Sequence, residues 1–150
     1  MARYAVEMNR TASTTLSVGN LTVDATTPRR IKLYDILFGS EATPADNAFL
    51  WQLQRSTTVG TGSSVTPTAL DPADAAALFD AVENLTVDPT LTAGAILMSL
   101  PLNQRASFRW VAAPGSELVA PATANNGIAI RTPSAGAAVA ISATAYVDEQ

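Results

Sequence analysis

Along most of this chain apolar and polar residues alternate in short runs broken by Gly, Pro, Asn and Asp. Alternation at period two is the pattern of a half-buried strand. Arg3 to Met8 places Tyr4, Val6 and Met8 on one face. Leu16, Val18, Leu21 and Val23 predict a second extended segment around a turn at Gly19-Asn20. Ile31 to Phe38 is the clearest strand of the first half and Gly39 ends it. Ser40 to Asn47 reads as a loop with Pro44 and Asp46 as turn residues. Ala48 to Thr57 returns as a strand with Phe49, Trp51 and Leu53 toward a core. Leu50 breaks the alternation there, so the other face of that strand is expected to meet a partner or a covering loop. Thr58 to Pro67 reads as a turn-rich connection.

The period changes once. Asp71-Pro72-Ala73-Asp74 has the chemistry of a helix start: Asp71 accepts from free amides, Pro72 suits the first helical position, and Asp74 favours the positive end of the dipole. A short helix is predicted from Pro72 to Val82, burying Ala76, Phe79 and Val82. From Asn84 the pattern is extended again. Ala95 to Leu102 is a strand with Pro101 near its end, the mark of an edge or a bulge. Ala106 to Ala112 follows, with Phe108 and Trp110 on one face and Arg109 on the other. Turns at Pro114-Gly115 and Asn125-Asn126-Gly127 bracket short strands at Glu117–Ala120 and Ile128–Arg131. Pro133 to Gly136 turns once more, and Ala138 to Val147 closes the chain with Val139, Ile141, Ala143, Ala145 and Val147 on one face. Many short strands with one inserted helix predict a mainly β fold, an antiparallel jelly-roll-like β-sandwich. It is expected to be a single domain over residues 1–150, in which 1–27 form first strands or an N-terminal arm.

Composition narrows the chemistry. At 150 residues the chain has one domain's length and buries a sizeable core without metal or disulfide. Histidine and cysteine are both absent, which removes Ser-His-Asp, Cys-His and zinc-hydrolase mechanisms on inventory alone. Charged residues make up 15%, well below the usual quarter, and the net charge is −4. An acidic balance argues against a nucleic-acid partner. The apolar stretches are short and interrupted, so none is expected to span a membrane. Met1 to Asn9 lacks the apolar core of a secretory signal, so the start reads as that of a mature protein. A low-charge surface rich in Thr, Ser and Ala suits a protein partly covered by its neighbours.

Candidate sites are few. Asp71, Asp74, Asp80, Glu83 and Asp88 form an acidic stretch without the D-x-D-x-D-G spacing of a calcium loop. Capping residues and a solvated face account for it, and neither a metal site nor a pair of catalytic carboxylates is selected. Gly60-Thr61-Gly62-Ser63-Ser64 lacks the Gly-Lys-Ser/Thr ending of a phosphate loop and reads as a turn. Tyr34, Phe38, Phe49, Trp51, Phe108, Trp110 and Tyr146 are core as a set, with Trp51 or Trp110 as the candidate interface anchor. Arg29, Arg30 and Lys32 cluster at one strand start, and Arg105 and Arg109 lie on another. As guanidinium donors these arginines suit carboxylates of a neighbouring subunit, with solvated strand ends as the plainer alternative. Interface candidates are thus Arg29, Arg30, Trp51 and Arg109, with no catalytic residue, metal or cofactor expected.

Two segments carry a resemblance: Arg29 to Thr57 (RRIKLYDILFGSEATPADNAFLWQLQRST) and Pro101 to Thr132 (PLNQRASFRWVAAPGSELVAPATANNGIAIRT). Arg30-Ile31-Lys32-Leu33-Tyr34-Asp35-Ile36, a strand like R-x-L-Y-D-I with one more residue after the arginine, precedes an acidic or Ala-rich loop and an L-x-R-S/T strand. Thr66-Pro67-Thr68-Ala69-Leu70-Asp71 follows, then an F-R-W strand, a Pro-Gly turn and an E-L-x-x-P strand. From Arg29 onward the pattern resembles small jelly-roll virion proteins of tailed bacteriophages. The resemblance implies a capsid decoration (cement) protein on the virion surface. It further implies the major capsid protein as partner and a homo-oligomer, a trimer, as its state, without catalytic residues. A carbohydrate- or receptor-binding module is the other expectation for such a fold. It would need exposed aromatics beside carboxylates, such as Trp51 or Trp110 near Asp46 or Glu117.

Overall fold

The computed structural model describes residues 2–134 and 138–150, and among these every regular element is a strand. In chain order they are β1 (Ala2–Thr11), β2 (Gly19–Thr22), β3 (Ile31–Ala42), β4 (Ala48–Ser56), β5 (Thr61–Val65) and β6 (Thr68–Ala69). The second half adds β7 (Asp80–Val87), β8 (Leu91–Asn103), β9 (Phe108–Val111), β10 (Leu118–Ala120), β11 (Gly127–Arg131) and β12 (Ala140–Glu149). They form two antiparallel sheets in a sandwich-like arrangement. The first runs β10-β3-β12-β1-β6, with β9 also on β3, and the second runs β5-β7-β2-β11-β4-β8. Strands β9 and β10 share one side of β3, against Asp35–Phe38 and Ile31–Leu33 respectively.

Period-two alternation builds the core. Tyr4, Val6 and Met8 of β1 and Ile141, Ala143, Ala145 and Val147 of β12 are buried. From the second sheet Leu21, Phe49, Trp51, Leu53, Ile128 and Ile130 meet them. Phe38 and Trp51 join β3 to β4 across the layers, with ring centroids 4.8 Å apart. In β3 both Leu33 and Ile36 are buried, which strict alternation forbids. A register shift opposite Tyr146/Val147 resolves this: Tyr34 is the extra residue, and Asp35 turns to the outer face.

The predicted helix over Pro72–Val82 is absent. Asp71 does start a turn, accepting the Ala73 amide at 2.9 Å, but the chain then runs across the end of the sandwich. Ala75 C=O and Phe79 N–H, an i/i+4 pair that a helix would join, are taken by other groups. The Tyr4 hydroxyl donates to Ala75 O at 2.8 Å, and Phe79 N donates to Glu149 Oε1 at 2.9 Å. Phe79 is thereby buried edge-on against Tyr4, ring centroids 5.6 Å apart. A helix this short is marginal by itself, and burial of one aromatic side chain outweighs it.

Other expectations shift by smaller amounts. Gly19-Asn20 lies inside β2, and β3 runs through Gly39 to Ala42. Thr61–Val65 is a strand paired with β7. Residues 2–11 are a strand between β12 and β6, so this part of 1–27 is not an arm. Pro133 and Ser134 are in a turn, while Ala135 and Gly136 of that predicted turn lie outside the described residues.

The two flanks of the sandwich differ. On one, β1 lies against β7 of the second sheet, and Asn9 N donates to Glu83 Oε2 at 2.7 Å. On the other, β8 and β9 are edge strands of their sheets, and Met98, Leu100, Leu102 and Trp110 pack against the core only half-buried.

Candidate interaction surface

Within the acidic stretch, Asp71, Glu83 and Asp88 are engaged by backbone amides. Glu83 caps Asn9, and Asp88 Oδ1 accepts the Ser17 amide at 2.6 Å while its Oδ2 lies 3.9 Å from Arg131 Nε. Arg10 donates to Ser17 O at 2.7 Å and Leu85 O at 3.1 Å; burial lowers its pKa, with Asp88 opposing. Asp80 is pushed up, first by desolvation and then by the Asp24 carboxylate. No three His, Cys, Asp or Glu side chains converge as a metal site among the described residues. The Gly60–Ser64 run is likewise structural. Gly60 N donates to the buried Asn20 Oδ1 at 3.1 Å, and a Cβ on Gly62 would enter the Glu83 carbonyl.

The four interface candidates are not brought together. Trp51 is 1% exposed, wedged between Phe38 and Phe49, and touches no solvent-facing surface. Its assignment as an interface anchor is therefore corrected: Leu50, not Trp51, is the residue of that pair nearer the outside. Arg29 and Arg30 are exposed at the start of β3, and among the described residues neither donates a side-chain hydrogen bond. Arg30 instead extends the β3–β12 ladder, exchanging backbone bonds of 2.9 and 3.0 Å with Gln150. Arg109 sits opposite Leu37, roughly 20 Å along β3 from Arg30 at the strand's rise per residue.

Arg109 is already paired. Its Nε lies 3.0 and 3.2 Å from the two oxygens of Asp35, and Nη2 donates to Oδ2 as well. The Asp35 side chain is 6% exposed and that of Arg109 60%, so the arginine lies as a lid over a buried carboxylate. This hydrogen bond, then the Coulomb attraction, raises the Arg109 pKa. Arg109→Ala is expected to lower Tm by roughly 5 °C by leaving Asp35 buried and unpaired; adding Asp35→Asn should recover much of the loss. Thermal melts of the single and double variants check this.

Around this pair the outer face of the first sheet carries half-buried aromatics. Tyr34 and Tyr146 stand 6.4 Å apart, the Arg3 guanidinium lies 5.8 Å from the Tyr34 ring, and Arg3 pairs with Asp148 at 3.2 Å. Burial raises the Tyr34 pKa. Beside them is an open depression of about 480 Å³ lined by Leu37, Gly39, Phe108, Arg109, Ser142 and Thr144. Arg109 is the one ionisable group among its lining residues, so no acid–base pair faces it. Asp46 and Glu117 are engaged locally, with Asn103 Nδ2 at 2.8 Å and the Gly115 amide at 3.1 Å.

The sequence missed Asp35 as a partner of Arg109. Its signal was a carboxylate within the apolar run Ile31–Phe38. Glu149, which holds the Leu78 and Phe79 amides, had no signal in its neighbours. No protein-family model matches this chain, and neither curated protein sequences nor solved structures give a match.

Proposed function

We propose that the sandwich is a jelly roll and that the protein is a structural virion protein. In this reading it decorates a phage head by bridging major capsid subunits. The observation that carries the reading is strand order. Taking β1, β2, β3, β4, β8, β9/β10, β11 and β12 in turn, successive strands alternate between the sheets except at β4 and β8, which pair with each other in the second. They neighbour as β1-β12-β3-β9 and β2-β11-β4-β8. Two Greek keys produce that interleaving, and viral shell domains commonly use it. Strands β5, β6 and β7 are then one insertion between the fourth and fifth strands. Two further features support assembly over catalysis: Glu83, Asp88 and Asp35 are engaged by internal bonds, and the flank formed by β8 and β9 carries the half-buried Met98, Leu100, Leu102 and Trp110. Shape-complementary interfaces repeated over a lattice give firm binding from modest single contacts.

Co-sedimentation with undecorated capsids of the same phage tests the reading. Saturable pelleting at a fixed ratio to the capsid protein is expected; a chain that stays in the supernatant overturns it. The second reading, a glycan-binding face, draws on Tyr34 and Tyr146 with their flanking Arg3–Asp148 and Arg109–Asp35 pairs. Failure to pellet together with glycan binding that Tyr146→Ala abolishes would favour it.

A further inference from the structure

The longest strand is also the least protected edge. β8 has 13 residues and pairs only with β4 among the described residues. From Leu91 to Leu102 it carries no charge. Sheet edges are normally guarded by Lys, Pro, bulges or inward charges, because an open ladder recruits another strand. Here Pro101 guards one end, and Gly94, at φ 72°, bends the other. Between them Ala95–Leu100 (AILMSL) presents open backbone. Ile96, opposite Gln54 on the outer face, is 48% exposed. Met98 and Leu100 point to the core opposite Leu53 and Trp51, yet remain half-buried.

We propose that this edge is a self-association site, where β8 of one copy pairs antiparallel with β8 of a second copy about a twofold axis. The second copy is the occupant the chemistry favours. Each chain carries a net charge of −4, so two copies meet with least repulsion where neither bears charge. An antiparallel pair of identical strands is self-complementary by symmetry, setting apolar residues against apolar ones. The six open residues Ala95–Leu100 run for about 20 Å, and the flank of a two-layer sandwich is about 20 Å deep. Pairing them hides roughly 400 Å² per copy, a small interface that suits a weak, reversible dimer. The inference rests on reading the chain as an assembling protein, but it needs no capsid and is tested without one. It also differs from the trimer that the resemblance implies, because a twofold strand pair closes at two.

The test is the mass of the purified chain by sedimentation equilibrium, with hydrogen exchange on the same samples. A dimer is expected, with Ala95–Leu100 amides protected. Ile96→Lys places a charge on the outward side of the edge and should weaken association at least ~10-fold while leaving the circular dichroism spectrum unchanged. Ser99→Lys is a second probe, should the first variant misfold. A monomer at about 100 μM, a trimer, or a dimer that both lysines leave intact overturns the proposal. A dimer that ignores capsids would count against the decoration reading alone, and a monomer that pellets with them against the edge pairing alone.

Discussion

Trp51→Ala is expected to cost about 3–5 kcal/mol of folding stability, the range for truncating a large buried aromatic side chain. The indole is 1% exposed and packs at 4.8 Å from Phe38 and 5.7 Å from Phe49, so its removal opens a void where the two sheets meet. Against a total of about 5–15 kcal/mol for a domain, that loss unfolds a sizeable fraction of molecules near body temperature. Urea denaturation should show a lower midpoint at unchanged slope. Trp51→Phe should cost less than half as much. It keeps a ring in place, and the Nε1 it discards has no hydrogen-bond acceptor among the described residues. An unchanged midpoint in Trp51→Ala, with loss of partner binding, would return Trp51 to the surface.

Glu149→Ala should cost about 2–4 kcal/mol. The carboxylate is buried and accepts from Leu78 N at 3.1 Å and Phe79 N at 2.9 Å. Charge-assisted bonds of this kind are worth more than neutral ones, and truncation orphans two amides, of which that of Phe79 is buried. Glu149→Gln should fall between, since its amide nitrogen faces donors where the second oxygen accepted. Hydrogen exchange at Leu78 and Phe79 reads the effect directly: both amides should lose protection in Glu149→Ala while the β12 ladder keeps its own. If the two amides exchange as slowly as before, the carboxylate does not hold this segment.

These two residues mark the limits of reading this chain from its sequence. Alternation located most strands and named the buried faces of β1, β4 and β12, because a single buried face writes a period of two; the bulge in β3 breaks that period. It failed where both sides of a strand are covered. Gln52, Gln54 and Ser56 are polar yet buried on the outer side of β4. Gln52 reaches Ser99 at 3.2 Å, and Gln54 reaches Thr92 O and Arg131. That network is set by neighbours distant in sequence. The helix prediction failed for the same reason, since Asp71-Pro72 is a sound local start overruled by Tyr4 and Glu149. Of the candidate surface, the outward placement of Arg29, Arg30 and Arg109 was legible. The ion pair that occupies Arg109 was not, because its carboxylate comes from a strand remote in the chain.

Strands β1 and β12 lie side by side, in register from Ala2 opposite Glu149 to Thr11 opposite Ala140. Between β1 and β3 nothing pairs until β12 arrives. During synthesis the first sheet therefore waits for the ribosome to release residues 140–149, with β1 and β3 holding two unmatched ladders. Such long-range closure is slow, on the order of milliseconds to seconds. A nascent chain stalled before Ala140 leaves those ladders open to other molecules, so the arrival of β12 decides between folding and aggregation.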